Sequence, residues 1–240
     1  MGLRGDLNII LNDIRNFEGV SSGLRHKDIH ISYVVYTSHP NSMKDFLMAI
    51  NVNCNGVINL LGTARRFNPV MKIILSFLIY IYSANKSASE KYILIYGHAY
   101  HMHTCVIRLA NVFGTRSKIK IPEFGFMNYF IGLALQDMCL TVFGDGMQIR
   151  NNSFMEDCIP ALNVATQHPT SDGEVFFAVS DHHDTVAEIA QAIVTHIGDA
   201  VFSNQKIKKP LILSPIYNLV QGLNETQKYF LPFWNIIGYR

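Results

Sequence analysis

Apolar positions along this chain follow two different spacings in turn, and that alternation already points to a class of fold. Short, nearly continuous apolar runs fall at residues 7–11, 28–36, 71–81, 105–113 and 175–179. Each is compact enough for a strand buried on both faces, as parallel strands are. Between the second and third runs, Met43, Phe46, Leu47, Ile50, Cys54, Val57, Leu60 and Leu61 recur at helical spacing, which predicts one long helix over 42–67. A further helix is predicted over 84–99. Strands joined by crossover helices make a parallel, doubly wound α/β sheet of the Rossmann-like kind. After Gly114 the texture changes to loops, short apolar segments and glycine turns, as in a smaller lobe grafted onto the sheet. The expected division is therefore a Rossmann-like sheet domain at 1–114 and a smaller lobe at 115–240, with 173–180 returning to the main sheet as a strand. Thr185 followed three residues later by Glu188 forms a capping box and opens a helix to about residue 197.

Composition narrows the class further. With 49% apolar and only 16% charged residues, the chain reads as a well-filled globular protein and not a disordered one. A net charge of +2 with scattered arginines gives no electrostatic ground for a nucleic acid or an acidic membrane surface as partner. The most apolar stretch, residues 73–82, is ten residues long and falls short of the roughly 20 that a spanning helix needs. The first residues lack the charged head, apolar run and small-residue site of a signal peptide. Cys54, Cys105, Cys139 and Cys158 lie far apart, so neither a zinc knuckle nor a small disulfide framework is suggested, and a reducing cytoplasm is the expected home.

Chemistry begins at Tyr82 and Lys86, which stand four apart and so would share one helix face about a turn from each other. A phenol ordinarily keeps its proton until about pH 10. A neighbouring ammonium, or the positive ring of an oxidised nicotinamide, stabilises phenolate and brings it toward the range of a general base. Spacing alone is better explained by two unrelated helix residues. The surrounding segments add an order to it: NDIRNFE at 12–18, SMKDFLMAINVNCNGVINLLGTARRFNP at 42–69, YSANKSASEKY at 82–92, VIRLANVFGTRS at 106–117 and LTVFGDGMQIRNNSFMEDC at 140–158, with a tail over 198–230. This collinear series resembles the NAD-dependent nucleotide-sugar epimerase/dehydratase family of extended short-chain dehydrogenases.

The resemblance implies NAD as cofactor, a nucleotide sugar as substrate, and hydride transfer at a sugar carbon in the manner of a UDP-glucose 4-epimerase, with 1–114 as a truncated dinucleotide-binding domain and 115–240 as the substrate lobe. It implies Tyr82 as acid/base, Lys86 as its partner and ribose ligand, and Ser76 as a third catalytic member. Asp13 and Ile14 would lie beside the adenine, and Ser32 in a segment that packs against the cofactor. Asn53 would sit beside the active-site backbone, Asn111 would contact substrate, and Arg150 would hold the diphosphate, for which a planar guanidinium is suited. Read without the resemblance, Asn53 is a helix amide, Asn111 a turn residue before Gly114, and Arg150 a surface arginine.

The departures from the family pattern are as specific. No Gly-x-x-Gly-x-x-Gly turn occurs in the chain, so the phosphate cradle of such a fold and its whole first βαβ unit are expected to be missing. Five residues separate Ser76 from Tyr82, where the family spends a full loop, and Phe77 stands where its catalytic hydroxyl is expected. A third gap follows residues 196–198. Tyr33 is expected to obstruct the cofactor, while Asn55 and Val57 flanking Gly56, where a Thr is usual next to the glycine, and Asn151 in place of a common Asp read as relaxed constraint. The alternative is accordingly a non-catalytic remnant that binds a nucleotide sugar or a partner chain. An open sheet with an apolar edge would also favour pairing of two copies. His98, His101 and His103, and residues 181–184, are read as turn and loop residues and not as metal ligands; only His98 and His101 of the first group would share a helix face.

Overall fold

The computed structural model describes residues 11–24, 29–32, 42, 44–78, 84–197, 202–203 and 218–234. In chain order the elements are α1 (Phe17–Leu24), β1 (Ile29–Ser32), α2 (Phe46–Phe67), β2 (Lys72–Leu78), α3 (Ala84–Tyr100), β3 (Thr104–Leu109), β4 (Asn111–Phe113), α4 (Phe126–Ala134), β5 (Leu140–Thr141), β6 (Ile149–Arg150) and β7 (Asn152–Phe154). They continue with α5 (Met155–Gln167), β8 (Val175–Ala178), β9 (Asp184–Thr185), α6 (Val186–Ile197), β10 (Phe202–Ser203) and α7 (Leu219–Trp234). The expected strand at 7–11 lies outside the described residues except for Leu11, which is exposed.

Parallel strands in the order β1-β2-β3-β8 build the main sheet, the α/β architecture that the spacing predicts. Side chains alternate across a strand, and the two faces of β2 bury against different layers. Ile73, Leu75 and Phe77 pack with Val57, Leu60 and Leu61 of α2 and Ile93 of α3. Ile74 packs with Cys105, Ile107 and Leu109 against Cys158 and Ala165 of α5. Helix α5, which falls inside the range read as the substrate lobe, thus completes a layer of the main sheet. The lobe has its own core, built from Phe113, Phe154, Met127, Ile131, Ile189 and Leu223 with their neighbours.

Three differences from the sequence reading have identifiable causes. The run at 105–113 is not one strand: β3 ends at Leu109, and after Ala110 the chain leaves the sheet and pairs as β4 with β7. The strand at 175–179 does return to the main sheet, in register with β3, but it is an edge and not a buried strand, with Phe176 43% and Phe177 47% exposed. Helices also occupy much of the stretch read as loops and short segments. Helix α4 is apolar on nearly every side, with Met127, Phe130, Ile131 and Leu133 all buried, so it carries no amphipathic period to read. Helix α1 escaped notice for the opposite reason, since its Gly-Val-Ser-Ser-Gly sequence has poor helix propensity. It forms because Asn16 Oδ1 accepts the Gly19 amide as a cap at 3.1 Å and because Ser21 and Leu24 bury against α2.

Candidate functional site

Helix α2 matches the predicted long helix, with one irregularity that matters for the site. Residues Asn51–Asn55 are wound as a π-helix, in which the Gly56 amide reaches back to the Asn51 carbonyl; such bulges often mark functional positions. The bulge faces the first turn of α3. Ser89 Oγ lies 2.5 Å from the Asn53 carbonyl and 2.7 Å from that of Asn85, and Cys54 Sγ donates to the Asn85 carbonyl at 3.3 Å. Two of the predicted site residues, Asn53 and Lys86, are buried where these helices meet, each about 4% exposed. Burial pushes the Lys86 ammonium down to about 8, with nearby Cys54 acting the other way.

Glu90, one further turn along α3, was not singled out from the sequence. Its carboxylate is buried and takes two hydrogen bonds of 2.7 Å from the Arg108 guanidinium, whose pull holds that carboxyl below its ordinary value. A two-pronged pair of this kind fixes direction as well as distance, and it ties α3 to β3. Arg108 is in turn 5.0 Å from the Phe177 ring. The available signal was an acidic residue four after Lys86 and one arginine inside an otherwise apolar strand.

Tyr82 and Tyr33 lie outside the described residues. Ser32 ends β1, its backbone in register with Leu75. Ser76 is fully buried on β2 with no hydrogen-bond partner for its hydroxyl among the described residues. It alternates with Leu75 and Phe77, which face α2 and α3, so it shares the opposite face of the sheet with Ile74. The structure therefore does not bring Ser76 and Lys86 together, and Phe77 is a core residue.

The residues expected on the substrate side, Asn111 and Arg150, lie past the ends of β3 and β8. Asn111 directs its amide to the Asn151 carbonyl at 3.1 Å. Arg150 is half-buried and donates to the Ile149 carbonyl at 3.0 Å and to Gln148 Oε1 at 2.9 Å. Asn151 is not a sign of relaxed constraint. Its amide nitrogen donates to the carbonyls of Ser180 and His182 at 2.5 and 2.9 Å, while its oxygen accepts the Ser180 amide at 2.7 Å. A carboxylate there would set like charge density against two carbonyls. Val57 is likewise occupied, being fully buried in the α2 layer. The capping box is present as predicted, with Glu188 taking the Thr185 amide at 2.7 Å and Thr185 Oγ1 taking the Glu188 amide at 3.0 Å.

Asp13 and Ile14 form a turn laid on α2. Asn59 Nδ2 lies within hydrogen-bond distance of the Ile14 and Arg15 carbonyls, and the Ile14 side chain sits against Gly56, where a Cβ would meet it at 2.6 Å. Asp13 is exposed, and the grip of Arg15 on both its oxygens holds its carboxyl down to about 2. This turn and the Asn51, Asn55 and Asn59 side of α2 line an open cleft of about 660 Å³. Among the described residues no group of three or more His, Cys, Asp or Glu is arranged to hold a metal ion. His103 is paired with Asp172 at 2.5 Å, and Lys72 approaches the same carboxylate at 3.0 Å. His101 lies past the end of α3 in a left-handed conformation, so it does not share a helix face with His98.

Comparison with known proteins gives a family match over part of the chain. Residues 78–178 match the model of the NAD dependent epimerase/dehydratase family. UDP-glucuronic acid decarboxylase 1 of Danio rerio is 25% identical over 232 residues, which cover 80% of this chain and 54% of that protein. The chain thus spans about half the length of curated relatives that it matches. Among solved structures, a UDP-glucose 4-epimerase from Thermotoga maritima with UDP-glucose superposes with a TM-score of 0.82 at 20% identity, covering 93% of this chain and 84% of its own. The UDP-glucose 4-epimerase of Thermus thermophilus in complex with NAD gives 0.78 at 20% identity, covering 91% and 83%. At such identities the superpositions establish the fold.

Proposed function

We propose that the chain, whose residues 78–178 match the NAD dependent epimerase/dehydratase family model, binds NAD and a nucleotide sugar and transfers hydride at a sugar carbon, as a UDP-glucose 4-epimerase does. The observation that carries this reading is Lys86. An ammonium buried in the first turn of α3, pushed down to about 8 and one turn from Tyr82 in sequence, is costly to fold around and suited to stabilising a phenolate. Tyr82 would exchange the proton of the sugar hydroxyl through its phenolic oxygen, and Lys86 would hold that oxygen charged and bind the ribose. Asn111 and Arg150 would hold the sugar and the diphosphate.

For NAD, the residues fit two of three regions. The turn at Asp13 and Ile14 borders an open cleft, suited to the adenine end, while Asn53 and Lys86 are buried on α2 and α3 and Ser32 ends β1. No glycine-rich turn to cradle the pyrophosphate occurs in the 240 residues. When bound, NAD would supply the hydride acceptor. A cytoplasmic home, where the four free cysteines stay reduced, and pairing of two copies belong to the same reading.

A second reading, binding without turnover, is favoured by the burial of Ser76 on the far face of β2 and of Phe77 in the core. Calorimetric titration with NAD, then with UDP-glucose, separates the two. Micromolar NAD affinity and turnover lost in Tyr82→Phe support the enzyme. Absence of NAD binding, with UDP-glucose binding that Arg150→Ala abolishes, supports the remnant.

A further inference from the structure

Arg150 is placed opposite Asp184 on the antiparallel pair of β6 and β9, so the two side chains project to the same side with their Cβ atoms about 5 Å apart. An arginine and an aspartate so placed would ordinarily pair. Here they do not: among the described residues no ion pair includes Arg150, and the Asp184 carboxyl turns to Asn152, whose Nδ2 lies 3.4 Å from Oδ2. Burial raises the Asp184 carboxyl above its ordinary value, with Glu188 adding to the effect while Asn152, His182 and His183 oppose it. The guanidinium is instead aimed by two neutral acceptors, the Ile149 carbonyl and the Gln148 carboxamide oxygen. Gln148 has a fixed base from which to do this, because its own carbonyl accepts the Val186 amide at 2.9 Å at the start of α6.

We propose that Gln148 is a positioning residue for Arg150, whose neutral carboxamide orients the guanidinium toward the diphosphate of a nucleotide sugar without neutralising it. The inference rests on the reading of Arg150 given under Proposed function. Neutral acceptors leave the cation its full attraction for an incoming anion, whereas a carboxylate would satisfy it internally. Gln148→Ala removes the aim, and Gln148→Glu keeps the shape but places a competing charge on the guanidinium.

The test titrates UDP and, separately, uridine into the wild-type chain and three variants. UDP affinity is expected to fall about tenfold in Gln148→Ala and on the order of 100-fold in Gln148→Glu and Arg150→Ala. Uridine affinity and melting temperature are expected to stay unchanged in both Gln148 variants, which a merely structural role would not allow. Nitrogen-detected NMR should show separate guanidinium resonances for Arg150 in the wild type that merge in Gln148→Ala. If Arg150→Ala loses UDP but Gln148→Glu binds it like wild type, the positioning role is overturned while the nucleotide reading stands. If Arg150→Ala binds UDP like the wild type, or if the wild type does not bind UDP at all, both the positioning role and the nucleotide reading are overturned.

Discussion

Lys86 is kept in the fold against its own hydration. At 4% exposure and with its ammonium pushed down to about 8 from 10.5, it opposes folding at neutral pH by roughly 3 kcal/mol, at 1.36 kcal/mol per pH unit. Lys86→Met should therefore stabilise the chain by roughly 2–3 kcal/mol at pH 7 while removing the side chain that the proposed chemistry needs. The sign with pH follows from linkage. Because the folded value lies below the unfolded one, the wild type gains stability as pH rises from about 8 to 10.5, and the advantage of the methionine variant should shrink over that window. Urea denaturation of both proteins at pH 7 and pH 10 checks this, and a variant less stable than wild type at pH 7 would contradict it.

Elements show how far the sequence could be read. The long helix at 46–67 was legible from its period, and the capping box at Thr185 and Glu188 from a four-residue pattern, because both are local. The split between β3 and β4 was not, since nothing in the run at 105–113 records the change of partner at Ala110 from β8 to β7. The same holds at the site. Lys86 and Arg150 are visible in motifs, whereas Gln148 gains its role only from where Arg150 points, and the Glu90–Arg108 brace joins residues 18 apart. Asn151 is the sharpest case: it reads as a departure from a pattern, yet its amide fastens the junction of β6 and β7 to the loop after β8. Asn151→Asp should destabilise the chain by about 1–3 kcal/mol at pH 7, because the carboxylate would face two carbonyls with no proton to give. The loss should diminish on acidification below about pH 5, as the introduced carboxyl takes up the proton that restores a donor. Thermal melting at pH 7 and pH 4.5 tests it, and a pH-independent loss would point to another cause.

At the scale of the molecule, the two cores are threaded into one another. Phe154 closes β7 within the lobe core, and the next residue begins α5, whose Cys158 and Ala165 cover the main sheet. Phe113 enters the lobe directly from the end of β3 through β4. Neither core can come apart without pulling an element out of the other, so the chain is expected to melt in one cooperative transition. Gly222 offers a probe placed far from the main sheet. A Cβ there would stand 2.6 Å from Phe113 Cζ and 3.1 Å from Phe154 Cδ2, and both rings are 2% exposed with no room to retreat. Overpacking of this kind costs about 1–3 kcal/mol, outweighing the better helix propensity of alanine. For a chain of this size Gly222→Ala should lower the melting temperature by about 2–10 °C while leaving a single transition whose calorimetric and van't Hoff enthalpies agree. Two resolved transitions, with only the first moved by the substitution, would mean that the lobe unfolds by itself and that the shared elements do not couple the cores.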